Sequence, residues 1–268
     1  MNKSICIAAV LFGMSSTTWG GEVFNQGFET NTDGWFDSSS SWFGSVTRVS
    51  SGTGGITSAS GSNHATFTQS GAVGDETGGF SRFDGYRTAW SGGFTASAAI
   101  YLDTSWSAGE GFDYSVAANG SDGNHRRDFI FHIAMDSSSG DLLIGGSNNT
   151  NFDPRQDLES INHAVIADSG WYTFEHDFRD AGDGSLAVDL NVYNSLGTLI
   201  FTETRNDTSD VLGSIVGGNR YAWFTNIDIA GGINVDDITL NVVPLPPAAL
   251  AGLGLLAGCA GIRQLRRR

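Results

Sequence analysis

The chain has 268 residues, 37 of them glycine, with 16% charged and 40% hydrophobic residues. No stretch outside the two ends carries Ala, Leu, Glu and Lys at 3.6-residue spacing, which excludes a protein of long helices and favours strands and turns. Without the ends, nine arginines face all 29 acidic residues, a balance of −20, which excludes nucleic acid and anionic membrane surfaces as partners of the body and suits divalent cations, uncharged ligands and high solubility.

The chain opens on MNKSICIAAVLFGMSSTTWGGEVF, with Lys3 its only lysine, an apolar run from Ile5 to Met14, and small residues at Thr18 and Gly20. This is the pattern of a secretory signal helix spanning residues 1–20, cut by signal peptidase after Gly20. Cys6 leaves with it, and the other cysteine, Cys259, lies in the C-terminal apolar run, so the body 21–242 has none. A disulfide framework is excluded, and stability has to come from core burial, with help from a metal.

Within 21–242, segments of period two alternate with Gly, Ser, Asn and Asp turns. FTASAAIYL puts Phe94, Ala96, Ala98, Ile100 and Leu102 on one face. RDFIFHIAM alternates Phe129, Phe131, Ile133 and Met135 against Ile130, His132 and Ala134, and DSSSGD turns the chain into LLIGG. GWYTFEHDF alternates Tyr172, Phe174, His176 and Phe178; SLAVDLNVYN and TLIFTET make a hairpin; RYAWFTNIDIA and INVDDITLNVV close the body. About ten to twelve such strands without a repeat or a linker predict one all-β domain, an antiparallel two-sheet β-sandwich of jelly-roll type.

Two segments at the ends of this body, FNQGFETNTDGW (Phe24 to Trp35) and INVDDITL (Ile233 to Leu240), resemble the first and last strands of carbohydrate-binding-module jelly rolls. The resemblance implies that these strands lie side by side and that a structural Ca²⁺ is held there by Glu29, Asp236 and Asp237. Hard carboxylate oxygens from distant strands suit that ion and would clip the sandwich together. The stretch from Gly170 to Thr204 resembles, more loosely, the concanavalin-A-like lectin and glucanase sandwiches.

In Glu175-His176-Asp177-Phe178-Arg179-Asp180, alternation places Glu175 and Asp177 on one face of a strand. The segment resembles the E-x-D-x-x-E strand of laminarinase-type retaining glycosidases, which implies Glu175, Asp177 and Asp180 as catalytic carboxylates, although Asp180 falls in the turn RDAGDG. The bland reading is an exposed acidic strand face. Five scattered histidines show no zinc-ligand spacing, and there is no P-loop, dinucleotide fingerprint or G-x-S-x-G elbow, so no Ser/His/Asp triad is readable. His125-Arg126-Arg127-Asp128 is the densest basic spot and suits a carboxylate or sugar acid as well as a salt-bridged loop. Trp42 and Trp106, in polar loops, are the candidates for stacking on a sugar, whereas Trp171 and Trp223 lie in apolar strands and are expected in the core.

The last 26 residues, VPLPPAALAGLGLLAGCAGIRQLRRR, combine a proline motif (Val243, Pro244, Leu245, Pro246), a transmembrane-type apolar helix and an arginine cluster (Arg263, Arg266, Arg267, Arg268). From Val242 to Ile262 the run is uncharged for 21 residues, near the ~20 needed to span a bilayer. Arginines after it hold its end on the cytoplasmic side. This segment, 243–268, resembles the PEP-CTERM sorting signal in its VPLPA-type variant, with Pro247 where the usual Ala stands. The resemblance implies an exosortase substrate, inserted transiently in the inner membrane and delivered to the envelope, outer surface or biofilm matrix of a Gram-negative bacterium. The function expected from the whole is a secreted, non-catalytic envelope or extracellular-matrix protein that interacts with extracellular polysaccharide. The alternatives are a glycoside hydrolase of the laminarinase-like type and a structural, self-associating matrix protein.

Overall fold

The computed structural model describes residues 21–36, 44–70, 77–86, 89–90, 92–120, 122–148, 157–208 and 216–243. The signal segment, Trp42 and everything from Pro244 onward, the arginine cluster included, lie outside the described residues. Among those described, no helix is long and apolar enough to cross a membrane.

The first strands are β1 (Glu22–Gln26), β2 (Trp35–Phe36), β3 (Ser45–Ser50), β4 (Asn63–Thr68), β5 (Thr77–Ser81), β6 (Ala89–Trp90) and β7 (Phe94–Leu102). There follow β8 (Gly111–Asn119), β9 (His125–Met135), β10 (Leu142–Asn148), β11 (His163–Ile166) and β12 (Gly170–Asp180). The last are β13 (Leu186–Tyr193), β14 (Leu199–Arg205), β15 (Val216–Gly217), β16 (Asn219–Thr225) and β17 (Ile233–Val242). An eight-stranded sheet runs β14-β13-β12-β7-β17-β4-β3, with β1 also paired to β17, and a seven-stranded sheet runs β11-β10-β9-β8-β16-β5-β2. All pairings are antiparallel, and the first and last strands lie side by side, Gln26 opposite Ile238.

Alternation builds the interior. Phe94, Ala96, Ala98, Ile100 and Leu102 of β7, Phe174 and Phe178 of β12, and Val188, Leu190 and Val192 of β13 all point inward and are fully buried. They meet Phe112, Tyr114, Phe129, Phe131 and Phe224 of the other sheet in one core. Phe94 and Phe178 stack at 4.2 Å, and Phe131 meets Phe174 edge-on at 5.1 Å. With no cysteine in the body, such rings carry the stability, each contributing about 1.5–3 kcal/mol on burial. His176 takes an inward position among them: its Nε2–H donates to the Phe129 carbonyl at 3.0 Å, while its Nδ1 has no partner. Burial pushes this imidazole down to about 3, so it sits neutral in the core.

The same alternation corrects the expectation for two tryptophans. Because Tyr172 and Phe224 take the inward positions, their neighbours Trp171 and Trp223 project outward and are only partly buried. Trp171 lies against Tyr101 and donates its Nε1–H to the Thr57 carbonyl at 2.6 Å. Among the described residues, the tryptophan buried in the core is Trp35, packed on Phe67 and Phe224.

Candidate functional site

Three places gather polar chemistry. The first is the corner where β1 meets β17. The Glu29 carboxylate accepts the backbone N–H groups of Ser62 at 2.9 Å and Asn63 at 3.0 Å, which hold it below the usual carboxylate range. Asp236, fully buried, accepts from the N–H of Ser60 and of Asp237, and Asp237 accepts from the Ser60 hydroxyl at 2.7 Å. Burial pushes the Asp236 carboxyl up to about 6. Phe28, Gly61 and Asp237 all have left-handed backbones here, with φ of 55°, 57° and 44°. The segment Ser60–Asn63 thus ties Glu29 to the Asp pair. All three carboxylates accept hydrogen bonds from the protein at this corner. Among the described residues no group of three or more His, Cys, Asp or Glu side chains forms a metal cradle.

The second place is the outer face of the eight-stranded sheet. Glu175 and Asp177 of β12 share it, as alternation requires, with Asp189, Asn191 and Tyr193 of β13 and Thr202 and Thr204 of β14. Glu175 accepts from the Tyr193 hydroxyl at 3.1 Å and the Asn191 amide at 3.3 Å. Arg179 forks onto Asp189 at 2.7 and 2.9 Å, and Thr204 donates to the same carboxylate. Burial, then the charges of Glu175 and Asp189, raises Asp177. Asp180 is not part of this face: exposed at the strand end, it accepts the N–H groups of Gly182 and Gly184 and shapes the turn.

The third place is the outer face of the seven-stranded sheet, where the sequence pointed to the basic edge and to Trp223, the latter as a core residue. All nine residues of the central strand β8 are buried, whereas Ile130, Ser147, Tyr221 and Trp223 on its neighbours are only partly buried. Register aligns one row across six strands: Ser147 (β10), Ile130 (β9), Ser115 (β8), Trp223 (β16), Phe80 (β5) and Phe36 (β2). At one end of the row Asp113 faces His132, whose Nδ1 lies 2.7 Å from Asp113 Oδ1 and whose Nε2 lies 2.7 Å from Ser147 Oγ. Asn226 donates to the other Asp113 oxygen at 2.6 Å. At the other end the rings condense: Phe80 meets Tyr221, Trp223 and Phe36 within 6 Å.

A turn beside that end supplies charge. Phe83 and Asp84 take left-handed φ of 51° and 59°, Phe83 plugs fully into the core, and Asn219 pins the Gly85 carbonyl at 3.1 Å. The turn thereby presents Arg82 and Tyr86. Arg82 lies between the Phe36 and Tyr86 rings at 5.2 and 5.1 Å, and Arg220 lies 5.1 Å from the Tyr86 ring, a ladder of guanidinium and aromatic groups. Phe36 and Tyr86 remain 43% and 42% exposed. The His125–Asp128 spot joins the same edge: His125 stacks on Tyr221, whose hydroxyl donates to Asp128, and Arg220 bonds Asn119 opposite His125. Trp106, by contrast, turns its ring inward, against Phe112 at the margin of the core.

No protein-family model and no characterised protein sequence matches the chain. Solved structures similar to it include the CBM2 module of the Lactobacillus casei BL23 phage J-1 evolved Dit, at a TM-score of 0.46 and 13% identity over 85% of this chain and 97% of that one. Peanut lectin follows at 0.45 and 13% over 83% and 98%. A mutant of alginate lyase Aly36B in complex with an alginate trisaccharide reaches 0.44 and 10% over 83% and 98%. At these TM-scores none of them bears on what this chain does.

Proposed function

We propose that the protein is exported and binds extracellular polysaccharide on the outer face of its seven-stranded sheet. The observation that carries this reading is the half-exposed ladder Phe36–Arg82–Tyr86–Arg220 at the end of the aromatic row. Flat rings offer apolar faces to sugar rings, and guanidinium forks reach their hydroxyl or carboxylate oxygens. Two of the nine arginines of an acidic body, Arg82 and Arg220, belong to this ladder, a placement that solubility does not require. The N-terminal signal and the PEP-CTERM-type ending complete the proposal: export with cleavage of the signal by signal peptidase, transient inner-membrane insertion, and exosortase sorting to the Gram-negative envelope or matrix.

Calcium at the β1–β17 corner belongs to the proposal through Glu29, Asp236 and Asp237, where a hard cation would relieve a buried carboxyl beside a second acid. Screening the purified protein against immobilised neutral and uronate-bearing polysaccharides, with and without EDTA, tests both parts. Binding to at least one polymer is expected, together with a melting temperature lowered by EDTA. Absence of any binding leaves a structural matrix protein, and an unchanged melting temperature removes the cation. Deleting Arg263–Arg268 should leave the protein mis-sorted.

A glycosidase at Glu175 and Asp177 is the second reading, favoured by one observation: Asp177 is raised by burial and by its acidic neighbours, as a general acid requires. Loss of polysaccharide cleavage in both Glu175→Gln and Asp177→Asn would establish it.

A further inference from the structure

The polar side chains of β8, β9 and β10 form a chain with a direction. Asp113 is 5% exposed and His132 1%, whereas Ser147, at the far end, is only partly buried. Asp113 is fixed from its other side by Asn226; in the His132 tautomer that donates Nδ1–H to Asp113, the Nε2 lone pair faces the Ser147 hydroxyl at 2.7 Å. Three adjacent antiparallel strands hold these groups, Asp113 opposite His132 and Ser147 two residues along β10 from Gly145, which lies opposite His132, so their order is set by the sheet and not by a loop. Nucleophile, base and orienting carboxylate are thereby within hydrogen-bond reach in the order that acyl transfer uses.

We propose that Ser147, His132 and Asp113 form a nucleophilic relay that hydrolyses carboxylic ester groups. Ser147 Oγ attacks the acyl carbonyl while its proton passes to His132 Nε2, and the carbonyl π pair moves to oxygen. Collapse of this intermediate breaks the bond to the alcohol oxygen, which leaves with the proton from the imidazolium. Water, deprotonated by His132, then attacks the acyl-serine, releasing the acid and restoring Ser147. The net change is ester plus water to alcohol plus acid, with no redox partner. As to substrate, the inference rests on the polysaccharide reading: Ser147 lies in the same cross-strand row as Trp223, Phe80 and Phe36, so a polymer laid over those rings carries an O-acyl substituent toward the serine. The strands of the row are ~4.8 Å apart, so Ser147 and Trp223 are separated by three spacings, roughly 14 Å.

The test is independent of any polymer. The purified protein is treated with a fluorophosphonate, which modifies activated serines, and its peptides are analysed by mass spectrometry; hydrolysis of p-nitrophenyl acetate is followed in parallel. The expected result is a single adduct on Ser147 that is absent from heat-unfolded protein, and a fall of about 10³-fold in ester hydrolysis in Ser147→Ala with its melting curve retained. Labelling of the wild-type protein needs no variant to fold. Folded protein that leaves Ser147 unmodified, or a Ser147→Ala variant that hydrolyses the ester at the wild-type rate, overturns the relay. Polymer binding without labelling sinks the relay and spares the binding reading; labelling without polymer binding upholds the relay and removes only its substrate.

Discussion

The outer face of the eight-stranded sheet and the outer face of the seven-stranded sheet use polar residues in opposite ways. On the first, Thr202, Thr204, Asn191, Asp189, Arg179 and Glu175 pair with one another at the water boundary, the usual condition of a half-solvated antiparallel sheet. On the second, Asp113, His132 and Ser115 are taken almost wholly out of water, where each polar atom depends on a protein partner. Polar groups that solubility does not call for have to be explained by what they hold or do. The comparison therefore directs attention to the seven-stranded sheet, although the acidic residues most visible in the sequence belong to the other.

Truncation should separate the faces most clearly. Asp113→Ala removes the carboxylate that pairs with the buried His132 and that the partly buried Asn226 amide also bonds, and should cost about 3–5 kcal/mol in urea denaturation. Asp189→Ala breaks an ion pair whose arginine is 40% exposed, and should cost no more than about 1 kcal/mol. Equal losses would mean that the two faces do not differ.

Acid probes the interior that both faces share. His176 has a folded-state value near 3, depressed from 6.5, so its contribution is fully present above 6.5 and is lost as pH falls toward 3. Between pH 6 and 4 stability should drop by about 2–3 kcal/mol through this group, and His176→Phe should flatten that slope in denaturation curves measured at each pH. At the β1–β17 corner, Gly61→Ala puts a methyl 2.3 Å from the Glu29 carboxylate on a left-handed backbone. A cost of about 1–3 kcal/mol is expected, read as a lower melting temperature. The smallest effect has the opposite sign. Asp177 is raised in the folded protein, so its stabilising contribution exists at low pH and is lost as pH rises through its folded value; Asp177→Asn should raise the melting temperature slightly at neutral pH.

Strands of period two were legible in the sequence: Phe94 to Leu102, Phe129 to Met135 and Gly170 onward lie where alternation puts them, and the side-by-side first and last strands followed from the two end motifs. Which face of a strand an aromatic takes was less legible, because a Trp in an apolar strand keeps its character on either face; Trp171 and Trp223 were therefore misplaced in the core. The relay was illegible for a different reason. Asp113, His132 and Ser147 stand singly at alternate positions in three apolar strands, and only the pairing register, a long-range property, brings them together. Arg82 and Tyr86 depended on a left-handed turn at Phe83 and Asp84, residues whose types do not advertise it.

The most direct test measures polysaccharide binding by affinity electrophoresis in Trp223→Ala and Tyr86→Ala on one sheet and Tyr193→Ala on the other, with melting curves to show that each variant is folded. The account predicts a loss of roughly 30-fold for the first two, the effect of removing an anchoring aromatic worth ~2 kcal/mol, and none for the third. Binding that survives the first two and is lost with Tyr193 would contradict it and move the ligand to the eight-stranded sheet.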